Sequence, residues 1–309
     1  PLNDLVAKYK DKYKIEDSML IKFGNEIMAI AFQVNAQHLF YRKDLLEKHG
    51  IAVPATYDDL LAAAEKLKSE ASIQFPLGGT YKSGWNIAQE FINIFMGFGG
   101  EFFEPGTAKP AFNSEKGVKT LELMKKLMAY MSPNALALDT TAVMQQFQQG
   151  QIAMANLWAS RAPKMDEAAE SKVVGLIDFA QAPAAVKGAP PATTLWWDGF
   201  CLAKNMDGDP DLAFQVLMEG LKEEVVTANN DVGIWLRSAY KPTRFSKGAA
   251  ACAMGGAPAY PMLPQTSMVH SSIGANIGDF LAGKESAKDS LADAEAAYIT
   301  AAKEKGYIK

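Results

Sequence analysis

Short apolar runs of strand length alternate along the chain with longer stretches whose apolar positions recur every three or four residues. That order predicts an α/β fold with largely parallel sheets. One helix start is explicit. Thr56 follows Pro54 and can cap the next turn, with Asp59 three residues on and Leu60, Ala64 and Leu67 at helical spacing behind it. Ser114 opens a second helix, whose apolar face includes Val118, Leu121, Met124, Leu127 and Met128. A third helix ends at Gln145 to Gln149 before Gly150. The apolar run Ile152 to Leu157 then reads as a buried strand that delivers Trp158 to its end. In open α/β sheets strand ends are where ligands sit. The Ala- and Pro-rich stretch Ala180 to Thr194 reads as an exposed connection before a strand at Phe200 to Ala203, and the last helix carries Leu291, Ala294 and Tyr298 on one face.

With 309 residues the chain is long enough for one large domain or two lobes, each with its own core. The 31 basic and 35 acidic residues are spread without a cationic stripe, so nucleic acid is not an expected partner. No apolar run approaches the ~20 residues that cross a bilayer, and Pro1 to Asp4 lack a signal-peptide pattern. Either the chain is cytosolic or its signal segment is not in this sequence. Two cysteines, Cys201 and Cys252, exclude a disulfide-dense scaffold and a zinc ribbon. They are either bonded to each other or small buried hydrophobes.

Enzyme signatures are missing: no GxSxG, GxxxxGK[ST], GxGxxG or HExxH occurs, and His38, His49 and His270 have no metal-ligand spacing. No cofactor or metal is implied. The five tryptophans, in contrast, all have polar neighbours. Trp85 lies near Asn86, Gln89 and Glu90, Trp158 near Arg161, Trp196 and Trp197 beside Asp198, and Trp235 near Arg237. Planar rings beside polar groups suit a solute with C–H faces and hydroxyl edges, although large aromatics also simply fill cores.

A family pattern runs through the same landmarks. Leu39 to Leu46, His49-Gly50-Ile51 and Pro54 to Leu60 form a strand end and a Pro-Xaa-Thr-aromatic-acidic helix start. Gly99-Gly100-Glu101-Phe102, Pro110 to Ser114, Phe147 to Met154, Trp197 to Ala203 and Tyr240 to Arg244 follow in order. Together these resemble the family 1 extracellular solute-binding proteins of bacterial ABC importers, with maltose-binding protein as the architectural reference. The resemblance covers nearly the whole chain. In that family, however, an α/β segment on the order of a hundred residues, the size of a small domain, precedes the position matching Pro1. A first lobe without that segment is expected to expose apolar surface or fail to fold.

The resemblance implies a type II periplasmic-binding-protein fold, with two lobes, a hinge and a cleft between them. Residues 1–34 and 196–255 are expected in the first lobe, and 35–195 and 256–309 in the second. It implies capture of a sugar or polyol, delivery to ABC permease subunits in the membrane, a monomeric state, and a periplasmic or lipoprotein-anchored location. For the site it points to Trp158 as a stacking ring and to Trp197 and Asp198 on the hinge strand. Trp85, Gln89, Asn35, Arg161 and His270 are further candidate contacts. Alternation along a strand lets only one of Trp196 and Trp197 face the cleft, and Trp197 is the expected one. Asp198 and Arg161 either pair with each other or hold vicinal hydroxyls. Two other readings stay open: a carbohydrate-active hydrolase using Glu90 and Asp198, and a cytosolic ligand-responsive regulator of the same fold.

Overall fold

The computed structural model describes residues 1–309. Its strands are β1 (Leu20–Phe23), β2 (Glu26–Asn35), β3 (Gln37–Arg42), β4 (Phe75–Leu77), β5 (Ile152–Trp158), β6 (Ile177–Ala180), β7 (Trp196–Phe200) and β8 (Ile234–Trp235). They build two sheets. The first runs β1-β2-β7, with β8 also on β2, and the second runs β4-β5-β3-β6. Each sheet centres one lobe.

The second lobe is the larger body because β3 is buried on both faces. Leu39 and Tyr41 join a core of 40 buried residues on one side, while Phe40 points to a separate cluster of 12 with Phe147, Leu157 and Phe179. Helices Tyr57–Leu67, Trp85–Gly97, Glu115–Met128 and Ala287–Glu304 supply most of the larger core. The Thr56–Asp59 capping box forms as the sequence predicts, and Ser114 caps its helix by accepting from the Gly117 N–H. In the first lobe, helices Asn3–Tyr13 and Pro210–Glu219 pack Val6, Tyr9, Phe214 and Met218 against Ile27 and Ile30 of β2. Phe23, Met28, Leu212 and Val216 of this lobe stand exposed. Cys252 is buried, Cys201 is exposed, and both are free thiols.

Sheet direction departs from the expectation. Only β4 and β5 pair in parallel, and every other ladder is antiparallel. β2 passes directly into β3 of the other sheet through the fully buried Ala36, with no helical crossover. β1, β7 and β8 run opposite to β2, and β5 and β6 run opposite to β3. The predicted strand at Phe200 to Ala203 is also displaced, since β7 ends at Phe200.

Chain passages between the lobes lie at Asn35 to Gln37, at Thr194 to Trp196, and after β8. The third comes earlier than the expected boundary at residue 255. Helix Lys247–Met254 already lies against β3 and β6 of the second lobe, and Arg244 donates to the Ile177 carbonyl (2.9 Å) and pairs with Asp166. Small residues make this packing possible. A Cβ on Gly248 would overlap the imidazole of His38, so Gly248 lets the helix lie close on the sheet.

Candidate ligand-binding site

Three tryptophans meet where the chain crosses between the lobes. Trp85 is the first residue of its helix, Trp158 the last residue of β5, and Trp196 the first residue of β7. Their ring centroids are 6.1 Å apart for Trp85–Trp158, 5.9 Å for Trp85–Trp196 and 5.9 Å for Trp158–Trp196, the last nearly perpendicular. Tyr260 extends the group, 4.1 Å from Trp196. Such spacings give edge-to-face and offset contacts within the group. Trp85 is 49% exposed, while Trp158 and Trp196 are half-buried.

His270 holds this group from behind. It stacks on Trp85 at 5.0 Å, lies 2.9 Å from the Tyr260 hydroxyl through Nδ1, and lies 3.0 Å from the Trp85 carbonyl through Nε2. A carbonyl only accepts, so Nε2 carries the proton and Nδ1 accepts from Tyr260. Burial pulls the His270 pKa below its ordinary value, which keeps the ring neutral in that tautomer. His270, expected as a ligand contact, is buried and has both ring nitrogens engaged by the protein, so neither is free for a solute.

Helix Thr266–Asn276, which carries His270, approaches Trp85 through a glycine pair. Gly84, at φ +94, donates its N–H to the Gly274 carbonyl at 2.9 Å, and a Cβ on Gly274 would overlap the Gly84 carbonyl oxygen. Gly274→Ala is therefore expected to cost about 1–3 kcal/mol by overpacking against backbone. It should also move Trp85 off His270. A denaturant melt and the near-ultraviolet circular dichroism of the aromatic group would check both effects.

The other expected site residues are distributed as follows. Trp197 pairs with Val34 across β2 and β7 and projects to the face opposite Trp196, so Trp196, not Trp197, joins the aromatic group. Asp198 accepts from Gln33 Nε2 at 2.6 Å. Arg161 follows Trp158 in the 3₁₀ turn Ala159–Asp166; it forms no ion pair with Asp198, and its Nε is buried without a partner. Asn35 donates to Ser160 Oγ (3.2 Å) and accepts from Ala36 N–H (3.1 Å), fastening the first crossing to that turn. Gln89 is fully buried and donates to Asn93 (2.9 Å) and Thr194 (3.0 Å). Glu90, the other carboxylate of the hydrolase reading, is buried and accepts from Gln37 at 3.1 Å and from Thr80.

The indole N–H of Trp196 donates to Thr194 (2.9 Å), whereas those of Trp85 and Trp158 have no acceptor in the protein. Two free N–H donors on partly exposed rings can bind hydroxyl edges and C–H faces together. Sequence reading did not single out Trp196 and Tyr260. For Tyr260 a signal exists in Pro258-Ala259-Tyr260-Pro261, where flanking prolines stiffen the segment and Leu195 bridges to Ala259. A surface groove of about 1670 Å³ lies elsewhere on the second lobe, between 96–109, 189–191 and the C-terminal residues Tyr307 to Lys309. It has no comparable group of stacked rings and no contribution from the first lobe.

The sequence profile of the bacterial extracellular solute-binding protein family matches residues 1–209. The chain belongs to that family. Among curated relatives of this solute-binding chain, a probable ABC transporter-binding protein of Deinococcus radiodurans is 28% identical over 183 residues, 56% of this chain and 43% of the relative. A probable amino-acid ABC transporter periplasmic-binding protein of Sinorhizobium fredii is 33% identical over 108 residues, 35% of this chain and 24% of the relative. The alignments thus span less than half of those relatives. Among solved structures, an ABC transporter solute-binding protein from Agrobacterium radiobacter K84 in complex with ribitol superposes with a TM-score of 0.81 at 24% identity, covering 96% of this chain and 78% of that one. A counterpart from Agrobacterium vitis S4 with bound D-mannitol gives 0.80 at 20% identity, covering 97% and 81%. Maltose-bound MalE3 of T. maritima gives 0.78 at 19% identity, covering 96% and 79%. At these identities the superpositions establish the fold, that of two-lobed solute-binding proteins. The family is one of solute-binding proteins, and no helix of this chain is long and apolar enough to cross a membrane.

Proposed function

We propose that this chain is the solute-binding component of an ABC importer, taking a sugar or polyol between its lobes and delivering it to a membrane permease. The observation that carries the reading is the convergence of Trp85, Trp158 and Trp196 at the interlobe crossing, with two indole N–H groups unengaged. Ring faces take the C–H patches of a polyhydroxylated solute, and the N–H donors and nearby polar side chains take its hydroxyls. The ribitol, D-mannitol and maltose held by structural neighbours support the same solute class. Arg161, with no partner of its own, is the charged group assigned to hydroxyl or carboxylate recognition. The protein acts as a monomer outside the cytoplasmic membrane, free in the periplasm or anchored as a lipoprotein.

Uptake then proceeds by closure of the lobes on the solute, and the closed form is what the permease reads. Only tighter binding by the closed form drives that change. Ribitol, D-mannitol and maltose would be screened by thermal shift, since a solute at a hundred times its Kd adds about 2.7 kcal/mol to stability. Small-angle scattering at saturation is expected to show a smaller radius of gyration. No response to any sugar or polyol would overturn the solute class. A raised melting temperature with an unchanged radius would overturn closure.

A further inference from the structure

A line of buried hydrogen bonds begins at the ligand-site ring Trp196 and ends in the core of the second lobe. The Trp196 N–H donates to Thr194 Oγ1 at 2.9 Å, and the Thr194 hydroxyl donates to Asn93 Oδ1 at 3.0 Å. Asn93 Nδ2 donates to Gln37 Oε1 at 2.7 Å, and Gln37 Nε2 donates to Glu90 Oε1 at 3.1 Å. Gln89 braces the middle by donating to both Asn93 and Thr194. Thr194, Gln89, Asn93, Gln37 and Glu90 are all buried.

The direction of the bonds matters. From the site inward every group donates to the next, and the series ends on a carboxyl that has no basic partner. Thr194 uses its one proton and both of its acceptor positions, so its hydroxyl has a single arrangement. Bonds aligned head to tail also polarise and strengthen one another. The Trp196 ring is thereby fixed by groups of the second lobe, although β7 pairs within the first-lobe sheet.

We infer that Thr194 is a positioning residue for the solute site, holding the plane of Trp196 through a relay that Asn93 and Gln37 carry to Glu90. This rests on the reading of the aromatic group as the solute site. Because its N–H is held inward, Trp196 presents the solute with ring surface, and hydroxyl recognition falls to Trp85, Trp158 and the neighbouring polar groups. The start of β7 consequently stays with the second lobe during closure, and bending occurs beyond Trp196.

The test uses the five indole N–H resonances of the ¹⁵N-labelled full chain, with Trp196 assigned through Trp196→Phe. In the unsubstituted protein the Trp196 indole proton is expected to exchange at least about tenfold more slowly than those of Trp85 and Trp158, which have no protein acceptor. Equal rates would overturn the relay without need of a variant. Thr194→Val is expected to shift the Trp196 resonance and abolish the protection, while Thr194→Ser retains both. With D-mannitol and ribitol as calorimetric probes, Thr194→Val should bind about tenfold more weakly, the size of one neutral hydrogen bond, and Thr194→Ser nearly as the parent. Lost protection with unchanged affinity would overturn the positioning role. If the parent binds neither polyol, the solute reading fails on that arm, and the resonances still decide whether Thr194 fixes Trp196.

Discussion

Trp158→Ala is expected to weaken solute binding by about ten- to a hundredfold, or about 1–3 kcal/mol, the range for burying a large apolar side chain. The ring ends β5, lies 6.1 Å from Trp85 and 5.9 Å from Trp196, and is half-buried without solute. Its exposed part is what a bound solute would cover. Stability should suffer less than from truncating Phe40, which is fully buried against Phe147 and Phe179 and whose loss would cost about 3–5 kcal/mol through a cavity. Calorimetric titration and a urea melt of the same variant separate the two roles. Unchanged affinity with a core-sized loss of stability would make Trp158 a packing residue. Trp197→Ala is the matched control. It lies on the opposite face of β7 and should change affinity little.

The local rules of the chain were readable because they act over a few residues. The Thr56–Asp59 box, the Ser114 cap, the turn at Gly150 and the placing of Trp158 at a strand end all follow from neighbours within one turn or one strand. Strand direction was not readable, since periodicity marks a strand without naming its partner, and β5 and β6, the antiparallel partners of β3, come from much later in the chain. Which of Trp196 and Trp197 joins the aromatic group was not readable either. Alternation says only that the two rings face opposite ways, and the rings that mark the aromatic face, Trp85, Trp158 and Tyr260, come from distant parts of the sequence. The buried relay left one visible trace. Gln89, Glu90 and Asn93 interrupt a helix otherwise filled by Ile87, Phe91, Ile92, Ile94 and Phe95, and polar residues in so apolar a helix must find partners inside. Their partners, Gln37 and Thr194, are 53 and 105 residues away in sequence from Glu90 and Gln89, so sequence alone gives no means to pair them.

Glu90→Gln is expected to raise stability relative to the parent by about 3 kcal/mol between pH 4.5 and 8, at about 1.4 kcal/mol for each tenfold change in proton affinity. Burial pushes the Glu90 carboxyl from 4.5 up to about 7, and hydrogen bonds from Thr80 and Gln37 offset only part of that. Its titratable neighbours, Tyr57 and Tyr81, are driven well above their ordinary value by burial and stay neutral, so no cation compensates the carboxylate. The folded chain therefore keeps a proton that the unfolded chain releases above about 4.5. The associated stability is full below that pH and is lost as pH rises to about 7. His38 works in the opposite sense. Burial between Phe40 and Phe179 pulls it from 6.5 to about 3, so its stability is present above 6.5 and lost as pH falls toward 3. Between about 4.5 and 6.5 the two slopes oppose, and the parent should show little net dependence from this pair. Glutamine keeps the carbonyl that accepts from Gln37 and Thr80 but has no proton to release, so the variant exposes the His38 slope and its stability climbs with pH across that interval. Urea midpoints of both proteins at pH 4.5, 6.5 and 8 give the difference directly, with all other ionisable groups common to the two. A parent-to-variant difference that stays constant across pH would show that Glu90 is ionised in the folded protein as in the unfolded one, and that the relay from Trp196 ends on a carboxylate.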